Sequence, residues 1–239
     1  MQGESCDLSP DCARKMNKLL TPLFALAVAC VTALSPSMGS AQEVKGNAAA
    51  GEKKNAMCIG CHGIVGYQAS FPEVYKVPKI SGQSAKFIVA SLVAYKQGDR
   101  KHPTMRGIAE SLTDQDMADL AAFYSEHGGK GAELPAKPGK APSAQVDALL
   151  KKAACVSCHG ENFAKPIDPA YPKIAGQHAD YLFVALKSYK TEGNGTVGRS
   201  NGVMGGIAKQ FSNAELKALS AYIASLDGDL KVVPERKFR

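Results

Sequence analysis

Tryptophan is missing from this chain, and aromatic residues make up only 7% of its 239 residues. Large rings are therefore sparse among its apolar side chains. The abundant Ala and Gly instead suit compact helices packed closely around something large and flat. Long apolar runs are also lacking. The most apolar stretch, 19–34, falls short of the about 18 residues a membrane helix needs and is soon followed by Pro36. No segment alternates apolar and polar side chains as a half-buried strand does, so the expected fold class is all-α. The basic residues are dispersed, with no recognition motif beside them, which argues against a nucleic-acid partner.

The N-terminus reads as an export leader. Lys18 is followed by the apolar stretch, and small residues then lead to Gly39-Ser40-Ala41, a cleavage site with Ala41 last. Met16 is a candidate start, because residues 1–15 are polar. Cys30 follows Ala27-Val28-Ala29, and the Ala at position 27, where a lipoprotein signal favours Leu, makes lipidation the lesser reading. Removing 1–41 takes three basic and three acidic side chains, so the net charge stays at +7. The mature protein is expected in the periplasm.

Export makes the cysteines informative. Of seven, Cys6, Cys12 and Cys30 leave with the leader. The other four all lie in two identical patterns, Cys58-Ile59-Gly60-Cys61-His62 and Cys155-Val156-Ser157-Cys158-His159. None is left over for a structural disulfide.

Sliding the sequence on itself shows that the whole chain is duplicated. The two patterns coincide at an offset of 97. Pro78-Lys79-Ile80-Ser81-Gly82-Gln83 then meets Pro172-Lys173-Ile174-Ala175-Gly176-Gln177 at 94, as Tyr95-Lys96 meets Tyr189-Lys190. Arg100, Met105, Gly107-Ile108-Ala109 and Thr113 meet Arg199, Met204, Gly206-Ile207-Ala208 and Ser212 at 99. The expected organisation is a leader over 1–41, a first domain over 42–127, a Gly- and Pro-rich linker over 128–142 and a second domain over 143–239. Each domain is small for an apolar core to stabilise alone.

Three helices are expected in each half. One leads into the cysteine pattern, over 49–57 and 144–154. A second spans 84–97 and 179–191. The third opens on Thr113-Asp114-Gln115-Asp116 and Ser212-Asn213-Ala214-Glu215, both with the form of a capping box, and runs toward Gly128 and Gly228.

Cys-x-x-Cys-His places two thiols where they can bond covalently to the vinyl groups of a haem, while the adjacent His reaches the iron from one face. Two copies imply two covalently bound haem c groups, on Cys58, Cys61, Cys155 and Cys158, with His62 and His159 as axial ligands. Four thiolates could alternatively hold one structural zinc, but that leaves both histidines unexplained. A thioredoxin-like redox pair needs a βαβ setting, which is missing.

The repeat selects the second axial ligand. In the mature chain only Met105 and Met204 coincide; Met117 falls opposite Leu216 and reads as core, and Met57 falls opposite Ala154. His102, His127 and His178 are all unmatched. His62 with Met105, and His159 with Met204, are therefore the expected ligand pairs. A thioether favours ferrous iron, and filling both axial positions leaves no place for oxygen or peroxide. Pro78 and Pro172 could offer a carbonyl to the axial His N–H. Arg100 and Arg199, five residues before each Met, could pair with propionates, whose four charges would lower the net charge to about +3.

These residues resemble the class I cytochromes c, and the span from Ala48 to Leu226 is similar to the dihaem cytochrome c4 family. Such a resemblance implies two cytochrome c domains related by a pseudo-twofold axis, His/Met ligation at both haems and propionates near the domain interface. It also implies a periplasmic electron carrier, loosely attached to the membrane and feeding a haem–copper terminal oxidase. The Gly-rich segment Asn201-Gly202-Val203-Met204-Gly205-Gly206 departs from the family pattern and leads to the expectation that the second haem loses its Met more readily. The main alternative is a dihaem electron-accepting subunit of a periplasmic dehydrogenase, of the flavocytochrome c type. A dihaem peroxidase needs an iron site that opens, which two matched Met ligands disfavour.

Overall fold

The structure is a computed structural model that describes residues 44–129, 131 and 133–234. The leader, its cleavage after Ala41 and Cys30 lie outside the described residues. Each half begins with a helical pair. In the first, α1 (Ala48–Lys54) breaks at Asn55 and resumes as α2 (Ala56–His62), which carries the cysteine pattern on its own turns. Two-residue strands β1 (Gln68–Ala69) and β2 (Tyr75–Lys76) close the following loop. Then come α3 (Ala85–Gln97), strand β3 (Arg100–Lys101), α4 (Pro103–Glu110) and α5 (Asp114–Glu126). The second half repeats the plan with α6 (Ala144–Lys152), α7 (Val156–His159), α8 (Ala179–Ser188), β4 (Gly198–Arg199), α9 (Gly202–Ala208) and α10 (Asn213–Ala224).

Local chemistry explains the boundaries. Both expected capping boxes form: Thr113 pairs reciprocally with Asp116, and Ser212 with Glu215. Gly98 ends α3 at φ 86°, a left-handed conformation that a side chain would strain. α8 stops at Ser188, short of the expected 191. The expectation of no strands is corrected in detail: four two-residue strands occur among the described residues, too short to leave a sequence period.

Two separate cores form, one per half. Ile88, Leu92, Leu112, Met117, Leu120, Ala121 and Tyr124 make the first, with Cys58 and Met105 packed against it. The second gathers residues including Val146, Leu150, Phe163, Leu216, Leu219 and Ile223, with Cys155 against it. In the first half α1 crosses α5 so closely that a Cβ on Gly51 would stand 2.1 Å from the Asp119 carbonyl oxygen. The polar side of that crossing is held by buried Asp119, which accepts from the Asn47 amide at 2.8 Å, from Gln115 at 2.8 Å and from Lys54 at 2.7 Å.

The halves meet through matched residues. Gln83 accepts from the Lys173 amide at 3.0 Å and donates to the Lys173 carbonyl at 2.9 Å; Gln177 does the same to Lys79, again at 3.0 and 2.9 Å. Strands β3 and β4 pair antiparallel with Arg100 opposite Arg199. Equivalent residues facing each other in an antiparallel pair are what a local twofold axis requires. The segment between the halves is mostly exposed but tethered: Asn162 donates to the Pro135 carbonyl at 2.8 Å, and the Tyr222 hydroxyl to that of Lys140 at 3.0 Å.

Two matched sites for covalent haem

Each motif histidine is aimed by a proline carbonyl. His62 Nδ1 lies 2.7 Å from the Pro78 carbonyl oxygen, and His159 Nδ1 lies 3.1 Å from that of Pro172. A carbonyl only accepts, so Nδ1 carries the proton in both rings and each Nε2 keeps its lone pair. Burial holds both imidazoles below the ordinary histidine pKa, against the opposing effect of the carbonyl bond. A neutral ring with a free Nε2 is the form that binds iron.

The four cysteines are free. Burial pushes the Cys58 thiol up to about 11, although a bond to Tyr124 works in the other direction. The Cys155 thiol is raised too, chiefly by burial. Cys58 lies against the first core and Cys155 against the second. Among the described residues no three His, Cys, Asp or Glu side chains gather as a metal-binding group, so the two cysteine pairs do not converge on one zinc.

Met105 and Met204 occupy equivalent places at the start of α4 and α9. Each amide is received by the helix-capping residue, Met105 N–H by His102 Nδ1 at 3.3 Å and Met204 N–H by Asn201 Oδ1 at 2.9 Å. His102 is further tied to the Tyr75 hydroxyl, 3.0 Å from its Nε2. Met117 is 1% exposed within the first core, and Met57 is exposed at the surface.

Arg100 and Arg199 are not dispersed surface cations, for they meet at the seam between the halves. Arg100 lies over the Tyr95 ring at 4.8 Å and near Phe87 at 5.7 Å. Arg199 lies over Tyr189 at 5.4 Å and Tyr181 at 5.6 Å. Arg100 donates to Ser91, and its Nε is buried with no hydrogen-bond acceptor. A half-buried guanidinium whose buried Nε–H is unused is suited to a carboxylate brought in by a bound group, and the residues present therefore fit a haem with propionates at this seam. Tyr181 and Tyr75 were not singled out from the sequence, and His102 was set aside there as unmatched. Tyr181 faces Phe87 under the repeat, and His102 faces Asn201, so a search for identity passes over both.

The cytochrome c family model matches twice, over residues 45–126 and 143–227. The chain is 32% identical over 227 residues to cytochrome c4 of Stutzerimonas stutzeri, covering 88% of this chain and all of that one. The crystal structure of reduced recombinant cytochrome c4 from Pseudomonas stutzeri superimposes with a TM-score of 0.55 at 30% identity, covering 76% of this chain and all of that one. A more distant relative, a thiosulfate dehydrogenase electron acceptor of Thiomonas intermedia, is 27% identical over 184 residues, 74% of this chain and 82% of that one. Two cytochrome c domains in tandem, two covalently bound haem c groups and a role in electron transfer place this chain in the cytochrome c family, among the cytochromes c4.

Proposed function

We propose that the chain is a periplasmic electron carrier that takes single electrons from a respiratory donor and delivers them to a terminal oxidase. Haem iron, when bound, supplies the one-electron chemistry by cycling between ferric and ferrous. Cys58, Cys61, Cys155 and Cys158 would hold the two groups as thioethers. His62 and His159 offer Nε2 because their Nδ1 protons are committed to Pro78 and Pro172. Met105 and Met204 would offer thioether sulfur to the iron, Arg100 and Arg199 would pair with propionates, and no acid, base or nucleophile is required. In this reading the protein transfers electrons and is not itself an enzyme. The observation that carries this reading is the equivalence of the two sites: the same carbonyl-held His and the same helix-capped Met recur in each half.

Residues 42–127 and 143–239 act as the two electron-carrying domains, joined by 128–142. The export leader supports the periplasm. Among the described residues no helix is long and apolar enough to cross a membrane, and a loose association with the membrane surface is part of the proposal. Reduced holoprotein added to membranes containing a haem–copper oxidase should be reoxidised rapidly and in a cyanide-sensitive manner; no reoxidation would defeat the oxidase assignment. A second reading, an electron-accepting partner of a periplasmic dehydrogenase, draws on the likeness to the Thiomonas intermedia protein. A dehydrogenase that stays bound through purification and reduces both haems would select it.

A further inference from the structure

The two arginine sites at the seam are near copies that differ by one hydroxyl. Arg100 lies near Phe87 and Tyr95, and Arg199 near Tyr181 and Tyr189, so Tyr181 stands where the first half has Phe87. That one phenol serves both arginines. Arg199 Nη2 donates to Tyr181 Oη at 3.2 Å, and Arg100 Nη2 donates to the same oxygen at 3.4 Å from the other half of the chain. Among the described residues neither guanidinium meets a carboxylate. Two like charges brought together at a partly buried seam repel unless an anion joins them.

The phenol reports that positive field. Burial by itself would raise it, but Arg199 and then Arg100 outweigh burial and bring it down to about 8, from the usual value near 10. Its oxygen has two lone pairs, and the two guanidinium groups use both. The O–H is left to donate, and among the described residues no acceptor for it is found. The buried Arg100 Nε–H is likewise without an acceptor. Unused donors thus come from both halves.

We propose that Tyr181 is a positioning residue shared by both haem sites: its oxygen holds Arg100 and Arg199 together across the seam, and its O–H donates to a haem propionate. This rests on the reading of the two arginines as propionate partners. The consequence is one charge cluster felt by both irons. Losing the O–H leaves more negative charge on a carboxylate near iron, which favours the ferric state and lowers the midpoint potential.

The test is a redox titration of holoprotein, with each haem assigned by its ferric haem-methyl NMR signals. Tyr181→Phe installs the residue already present at Phe87 and should lower both midpoints. Adding Phe87→Tyr to that variant moves the hydroxyl across the seam and should return both midpoints toward wild type, which a loss of packing would not allow. If Tyr181→Phe moves only the second-half haem, or neither, the shared role is wrong. Arg100→Lys and Arg199→Lys separate the two layers of the argument. If they shift the midpoints while Tyr181→Phe does not, the propionate reading survives and this inference falls; if they shift neither midpoint, both fall.

Discussion

The Tyr75 hydroxyl stands 3.0 Å from His102 Nε2, and the other ring nitrogen of His102 receives the Met105 amide at 3.3 Å. Because Nδ1 accepts, Nε2 carries the proton and donates to Tyr75. Burial pushes the Tyr75 phenol up to about 12, so the hydroxyl stays intact. In the second half Asn201 caps the Met204 helix, and among the described residues no aromatic partner braces it. The Met105 segment is therefore anchored twice and the Met204 segment once. Wild-type ferric holoprotein should bind cyanide in two phases, the faster at the second haem. Replacing His102 with Ala removes a cap worth about 1 kcal/mol and should speed the slow phase roughly fivefold. Equal reactivity of the two wild-type haems would sink the idea.

Met117 sets a buried thioether against Met105, the one proposed to ligate iron. It is 1% exposed in the first core, so Met117→Leu should cost less than about 1.5 kcal/mol. The ferric spectrum should stay intact. Met105→Leu should instead abolish the iron–sulfur band of one haem. Denaturant titration and visible spectra of the two variants make the comparison.

Acid should weaken the first half through Asp119. Lys54, the Asn47 amide and Gln115 hold its carboxylate below the usual range against a smaller opposing effect of burial. A folded-state pKa below the unfolded one means that the unfolded chain binds more protons at mildly acid pH. The stabilisation is complete above the unfolded carboxylate pKa of about 4 and is lost as pH falls through the folded one. Asp119→Asn should lower stability at neutral pH and flatten its decline below about pH 4. Soret circular dichroism during acid titration reads both, and an unchanged acid slope would remove Asp119 from the account.

Gln83 and Gln177 each tie one half to the backbone of the other through two bonds. Either one changed to Ala leaves a backbone donor and acceptor without partners, at a cost of about 1–3 kcal/mol. Hydrogen exchange should quicken at the Lys173 amide in the Gln83 variant and at the Lys79 amide in the Gln177 variant. Unchanged exchange would mean that the seam is held elsewhere.

The capping boxes and the helices leading into the cysteine motifs were legible in the sequence because each follows from local chemistry repeated at a fixed offset, whereas the break at Asn55 that divides the first of those helices was not. Thr113 with Asp116 and Ser212 with Glu215 need only four residues to declare themselves. The pairing of Arg100 with Arg199 was not legible, since two-residue strands carry no period. Nor was the helical path through Cys58 and Cys61, where Gly60 and two cysteines supply little helix preference. The deeper omission was of kind. A repeat search keeps identities, whereas His102 and Asn201 perform one capping role with different side chains. Tyr181 matters because its counterpart Phe87 lacks the hydroxyl, and a difference is what such a search discards.

Two equivalent sites, His62 with Met105 and His159 with Met204, are proposed to hold two electron-carrying haems. Visible spectra of ferric holoprotein, taken through a redox titration for wild type, Met105→Ala and Met204→Ala, test it most directly. Wild type should show two haems, each with the weak long-wavelength band of Met-ligated ferric iron, and each variant should lose half that band. A wild-type spectrum with the band at one haem only, or a Met variant that keeps the full band, would contradict it.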